Sequence, residues 1–161
     1  MDRWHNHYLD HCAHFITSTV QDWQPCLLDH AEELYQQWRD GAAKHRCLIL
    51  AYVVMPEHIH MVVWAEEGAR VSAFTQRWLS MTARMVGTGG RFWKERPRVL
   101  AIWSRKVLGI KVDYIHKNAL RRGLAVDPAG WVHSSFRQLE EGQRDVPFLC
   151  DDFDAIGALR G

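Results

Sequence analysis

No apolar run in the sequence approaches the ~18 residues that cross a bilayer, and the opening Met1-Asp2-Arg3-Trp4-His5 has no apolar signal region. The four cysteines (Cys12, Cys26, Cys47 and Cys150) form no C-x-x-C pair. Neither a disulfide scaffold nor a zinc knuckle is therefore expected, and the thiols read as reduced in a cytoplasm. Repeats, low-complexity stretches and long linkers are absent too. The 161 residues read as a single domain, 1–161, long enough to bury a core without covalent staples. An excess of one charge sign is also missing. The net charge is +1, which alone argues against a nucleic-acid binder.

The distribution of charge argues the other way. Between residues 91 and 122 stand Arg91, Lys94, Arg96, Arg98, Arg105, Lys106, Lys111, Lys117, Arg121 and Arg122, against only Glu95 and Asp113. Half of all Lys and Arg thus lie in one fifth of the chain. A local field of that sign attracts phosphate whatever the overall charge, although a solvated helix face would show the same excess. The end of the chain, 139–161, is an acidic tail: Glu140, Glu141, Asp145, Asp151, Asp152 and Asp154 face only Arg144 and Arg160. With Phe148, Leu149 and Phe153 among these acids, it could fold back over the basic stretch as a phosphate mimic. A solubilising end is the plainer reading.

Periodicity gives the coarse architecture. Residues 14–20 (H-F-I-T-S-T-V) read as a first strand. Residues 27–43 carry Leu27, Ala31, Leu34 and Trp38 on one helical stripe, with Gly41 near the end. Residues 47–54 are an unbroken apolar run, expected to be a buried central strand. Met55-Pro56-Glu57 breaks it, because proline has no backbone donor. Residues 58–64 then alternate as an antiparallel partner. Phe74, Trp78, Met81 and Met85 mark a second helix over 71–86, and Gly87-Thr88-Gly89-Gly90 reads as a loop free to move. A fourth strand is expected over 98–103. Ser104 is a plausible N-cap for a helix carrying Val107, Ile110, Tyr114 and Asn118, closed by Gly123. Strand, helix, strand, strand, helix, strand and an added helix suit an α+β, ferredoxin-like βαββαβ sandwich with an antiparallel sheet, the added helix carrying the tyrosine.

Chemistry concentrates in two places. Residues two apart on a strand share a face, so His58 and His60 point one way while Ile59, Met61 and Val63 point the other. Two imidazoles so placed can converge on one cation, or they can be half-buried polar groups with ordinary hydrogen bonds. His5 and His7 have the same spacing without a strand to fix them, and with His11 and His14 read as exposed or structural. Tyr114 and Asn118, four apart, share a helix face. If that face meets the histidines across the sandwich, His58, His60 and the Asn118 amide oxygen give three ligands, leaving open positions for water and phosphate, with Tyr114 in reach of the phosphorus.

Met55-Pro56-Glu57-His58-Ile59-His60-Met61-Val62-Val63 resembles the M-P-x-H-x-H-hydrophobic signature of the single-tyrosine HUH transposases. Tyr114-Ile115-His116-Lys117-Asn118-Ala119-Leu120-Arg121-Arg122-Gly123-Leu124 resembles the Y-I-H-x-N-P-V-R-x-G-L segment of one branch, the REP-associated tyrosine transposases. Trp131-Val132-His133-Ser134-Ser135-Phe136 resembles that branch's W-S-S-Y element. Ala119 departs from the usual Pro, Glu57 from a common Asn, and His133 stands where Trp is expected; no ligand or nucleophile is lost.

This resemblance implies a metal-dependent single-stranded DNA endonuclease and strand transferase acting on hairpin or palindromic DNA. Tyr114 would attack the phosphodiester, leaving a 5′-phosphotyrosine link and a free 3′-OH. The divalent metal would be Mg²⁺ or Mn²⁺, imidazole ligands suiting Mn²⁺ and supply favouring Mg²⁺. A free phenol has a pKa of about 10, so Tyr114 needs help losing its proton; Asp113, Lys111 and a metal-bound water are candidates. Residues 91–122 would track the DNA backbone, with Trp93, Trp103 and Trp131 as candidate stacking platforms, each of which could instead be core. No membrane and no obligate protein partner is expected, and both a monomer and a homodimer stay open. Two rivals stand: a non-catalytic hairpin-DNA-binding protein of the same fold, and a zinc hydrolase built on the H-x-H pair, which gives Tyr114 no role.

Overall fold

The structure, a computed structural model, describes residues 7–142. His5, Cys150 and nearly all of the acidic tail, with its expected fold-back, lie outside the described residues. Four strands form: β1 (Cys12–Thr19), β2 (Leu48–Val54), β3 (His58–Ala65) and β4 (Arg98–Ile102). They make one sheet in the order β2-β3-β1-β4, every neighbouring pair antiparallel. Helix α1 (Ala31–His45), led by a 3₁₀ turn at Leu27–His30, connects β1 to β2, and α2 (Gly68–Val86) connects β3 to β4. This is the expected ferredoxin-like α+β sandwich.

Alternation along the strands divides the side chains between two cores. Ile16, Tyr52, Val54, Ile59, Met61 and Val63 pack with Leu34, Trp38, Phe74 and Trp78 of α1 and α2. The opposite set, Ala13, Val53 and Val62, packs beneath α3 (Arg105–His116) through Leu108, Val112 and Ile115. A register shift between Ile49 and Ala51 sets the consecutive Leu50 and Ala51 on this α3 face, as a bulge does.

Four sequence expectations need correction. β2 is an edge strand, not a central one. It is nonetheless buried, because a later segment covers its free edge: Val54 N–H donates to the His133 carbonyl (2.8 Å) and Ser135 N–H to the Tyr52 carbonyl (3.0 Å). The Ser135 hydroxyl also accepts from Tyr52 N–H (3.0 Å). On α2 the buried stripe is Val71, Phe74, Thr75, Trp78, Leu79, Thr82 and Val86, while Met85 is exposed. The glycine loop is tied down, because Gln24 donates to the Gly89 carbonyl (2.8 Å) and accepts from Thr88 N–H (3.0 Å). Finally, the tyrosine helix does not run on to Gly123. It stops at His116, Lys117 breaks it at φ −93°, ψ 2°, and a separate turn, α4 (Asn118–Arg121), follows. The Ser104 cap forms as expected, its hydroxyl accepting from Val107 N–H at 3.2 Å. A short helix, α5 (Phe136–Glu140), ends the described chain.

Candidate active site

On the α3 face, His60 lies opposite Thr17, and Thr17 opposite Arg98. One step further, Phe15 sits between Val62 and Leu100. Thr17 Oγ1 is 2.8 Å from His60 Nδ1, and the Phe15 ring stacks on the imidazole with centroids 5.3 Å apart. These two contacts fix the His60 ring plane and occupy Nδ1, which leaves Nε2 as the nitrogen that could ligate. Burial first, then His58, Lys111 and Arg121, push the His60 pKa down to about 3. The ring is therefore neutral at physiological pH, the form that can ligate a metal.

His58 sits 4.8 Å from His60, centroid to centroid. Its Nε2 lies 3.2 Å from Asn118 Oδ1, and its Nδ1 lies 3.1 Å from Glu57 Oε1. Glu57 also accepts from Arg122 Nη2 at 2.6 Å. Burial works against the Glu57 carboxylate, but hydrogen bonds from Arg122 and His58 outweigh it and hold its pKa below the usual range.

Helix α3 brings Tyr114 to this group. Its ring meets His60 edge-on at 5.3 Å and Phe15 at 5.9 Å. Tyr114 is 37% exposed, so its hydroxyl-bearing ring is accessible while α3 is anchored by Leu108, Val112, Ile115 and His116 on the opposite side. Asn118 instead is buried, because the break at Lys117 turns α4 inward. Tyr114 and Asn118 are brought together, though not by one continuous helix. The Arg121 guanidinium lies 4.5 Å over the Tyr114 ring and donates to the Tyr114 carbonyl at 2.7 Å. Lys111 Nζ lies 4.9 Å over Phe15. Phe15, Thr17, His60, Arg98, Lys111 and Tyr114 line an open cavity of about 370 Å³.

The ten basic residues separate. Arg98, Lys111 and Arg121 surround Tyr114, and Arg105 and Lys106 are exposed on the first turn of α3. Arg91 and Arg96 line a different cavity, of about 340 Å³, against α2, and Lys94 pairs with Asp22 at 3.6 Å. Lys117 is held by Asp113 at 2.8 Å, and Arg122 by Glu57. Of the tryptophans, Trp93 donates to the Leu79 carbonyl and packs on Trp78, and Trp131 donates to the Val54 carbonyl. Both are structural. Trp103 is 59% exposed and keeps its candidacy as a stacking surface. Asp113, spent on Lys117 and bordering a cavity with His116 behind α3, is poorly placed to take the Tyr114 proton.

Sequence reading missed Phe15, Thr17 and the Arg122–Glu57 pair. Phe15 and Thr17 alternate on β1 as His60 and Val62 do on β3, so a register would have found them; the register itself depends on long-range pairing. His116, Nε2 2.9 Å from Ser135 Oγ, ties the tyrosine helix to the segment that covers β2. Among the described residues no group of three or more His, Cys, Asp and Glu could hold a metal, so a zinc hydrolase site of that kind has no counterpart there. No helix among them is long and apolar enough to cross a membrane.

Residues 7–121 match the family model described as "Transposase IS200 like". The chain is 27% identical over 164 residues to the REP-associated tyrosine transposase of Escherichia coli (strain K12), covering 96% of each. The fold superposes with a TM-score of 0.70 on a REP-associated tyrosine transposase solved bound to a REP hairpin, at 21% identity over 91% of this chain and 88% of that one. A match over most of the chain, on a fold that sets the H-x-H strand beside the tyrosine helix, makes this protein a member of the IS200-like transposase family.

Proposed function

We propose that this chain is a metal-dependent endonuclease and strand transferase for single-stranded DNA, acting on hairpin or palindromic substrates through a 5′-phosphotyrosine. The observation that carries this reading is the accessible Tyr114 phenol against His60, beside the converging His58 Nε2 and Asn118 Oδ1, on the rim of a cavity lined by Arg98 and Lys111.

The residues present fit a divalent cation. A neutral imidazole has one N–H, yet both nitrogens of His58 face acceptor oxygens. A charged ring, an inverted Asn118 amide or a cation between Nε2 and Oδ1 each resolves that conflict. Neighbouring ligands of an octahedral ion at about 2.1 Å lie about 3 Å apart, close to the 3.2 Å seen here. His58, His60 and Asn118 would hold Mg²⁺ or Mn²⁺, which supplies Lewis-acid polarisation of a phosphate oxygen.

The protein's own groups do the rest. Tyr114 Oη forms a bond to phosphorus while the bond from phosphorus to the 3′-oxygen breaks, and the phenolic proton ends on that 3′-oxygen. The phosphotyrosine conserves the bond energy, so a 3′-OH reverses the step without ATP. Arg121 over the phenol ring and Lys111 on the cavity wall set two cations beside the phosphate that Tyr114 would attack. Arg98, Lys111 and Arg121 would neutralise backbone phosphates, and Lys94 and Lys117, paired with the exposed Asp22 and Asp113, are held by only ~0–1 kcal/mol, so DNA can take them. A hairpin substrate is consistent with the hairpin-bound relative.

Wild-type protein, labelled hairpin oligonucleotide and Mn²⁺ should give a protein–DNA species that survives boiling in detergent, carries the nucleotide on Tyr114 by mass spectrometry and is absent with chelator. Tight hairpin binding without any adduct would instead establish the non-catalytic reading; an adduct on Tyr8, Tyr35 or Tyr52 would sink the nucleophile assignment.

A further inference from the structure

Both ends of α4 grip one imidazole. Asn118, its first residue, faces His58 Nε2. Arg122, its C-cap, binds Glu57, whose same oxygen faces His58 Nδ1. Glu57 directly precedes the H-x-H strand, so the Arg122–Glu57 ion pair joins the end of α4 to the start of that strand. A carboxylate beside one ring nitrogen of a ligating histidine fixes the proton there and frees the other nitrogen.

We infer that Arg122 and Glu57 are positioning residues, which hold His58 with its proton on Nδ1 and hold α4 where Asn118 shares the ligand site. The inference rests on the metal reading above. Arg122 is thereby removed from the DNA path, and the adjacent arginines have separate work: Arg121 over the tyrosine, Arg122 behind the histidine. A purely structural salt bridge predicts none of the ring and metal effects that follow.

The test uses the full chain with ¹⁵N-labelled histidine, metal-free and mildly alkaline. The wild-type His58 ring should show the Nδ1–H form. Glu57→Ala should move the proton to Nε2, where Asn118 Oδ1 accepts it, and should weaken Mn²⁺ binding roughly 10–100-fold by calorimetry. Glu57→Gln, which keeps an acceptor for Nδ1–H but loses the ion pair, should retain the wild-type ring form with a smaller loss of Mn²⁺ affinity, and it serves if the alanine variant folds poorly. Arg122→Met should behave like Glu57→Gln. Wild-type Mn²⁺ affinity and ring form in both Glu57 variants would overturn the positioning role alone, leaving the metal reading intact. Wild-type protein that binds no Mn²⁺ would overturn the metal reading and this inference with it.

Discussion

Beneath α1 and α2 the sheet buries large aromatic side chains, and beneath α3 it buries small aliphatic ones. On the first face Trp38 meets Trp78 edge-on at 5.9 Å and Tyr52 at 5.4 Å, and Trp78 meets Trp93 at 5.7 Å. On the second, Ala13, Ala51, Val53 and Val62 form a thinner core that opens at its rim onto Phe15, His60 and Tyr114. Aromatic pairs in a sealed core contribute both area and edge-to-face attraction. A face that leaves polar groups at its rim forgoes that gain. One face therefore holds the fold, and the other is free to keep imidazoles, an amide and a phenol together for chemistry.

The sharpest separation should come from Tyr114→Phe. Loss of one exposed hydroxyl should change stability by no more than about 0.5 kcal/mol, yet remove the DNA adduct entirely on detergent gels while hairpin binding persists. Normal cleavage by this variant would end the covalent mechanism. Trp78→Ala is the converse. A cavity in the aromatic core should cost about 3–5 kcal/mol, read from the denaturant midpoint; a loss below about 1 kcal/mol would mean that the two faces share the load.

Acid should strain both faces at once. His14, on β1, and His116, at the end of α3, are each pushed down to about 4 by burial from the ordinary 6.5. Between these values the unfolded chain binds more protons than the folded one. Stability is thus complete above about pH 6.5 and falls as the pH drops toward 4. Replacing either histidine by glutamine should make that fall shallower, and an unchanged slope in the double variant would discard burial as its cause. The smallest effect expected is on salt dependence. Arg121→Met should reduce the slope of log K against log salt by about 0.7, one phosphate on single-stranded DNA, while Arg122→Met leaves it alone. Equal slopes for the two variants would erase the distinction between them.

Most of the fold was legible because strands and helices write their periods locally. The shared face of His58 and His60 followed from a two-residue alternation, and the Ser104 cap from its hydroxyl chemistry. What escaped depends on distant partners. The apolar run of β2 says that it is buried, but a central strand and a covered edge strand give the same run. Trp93 and Trp131 read as core or as stacking surfaces, because indole suits both roles, and only their N–H partners decide. Spacing brought Tyr114 and Asn118 together correctly, but the break at Lys117 carries no proline or glycine to announce it. Gln24 restrains the glycine loop from 65 positions away, which no local pattern records.

The cover on the β2 edge also has a history in time. Tyr52 and Ser135 are 83 positions apart. At translation rates of roughly 5–20 residues per second, β2 is made about 4–17 seconds before the segment that closes it. Through that interval a nascent chain with an otherwise complete hairpin presents one unpaired apolar edge, open to any strand that passes. Until residues 133–135 arrive, the edge that the folded protein covers is open to pairing.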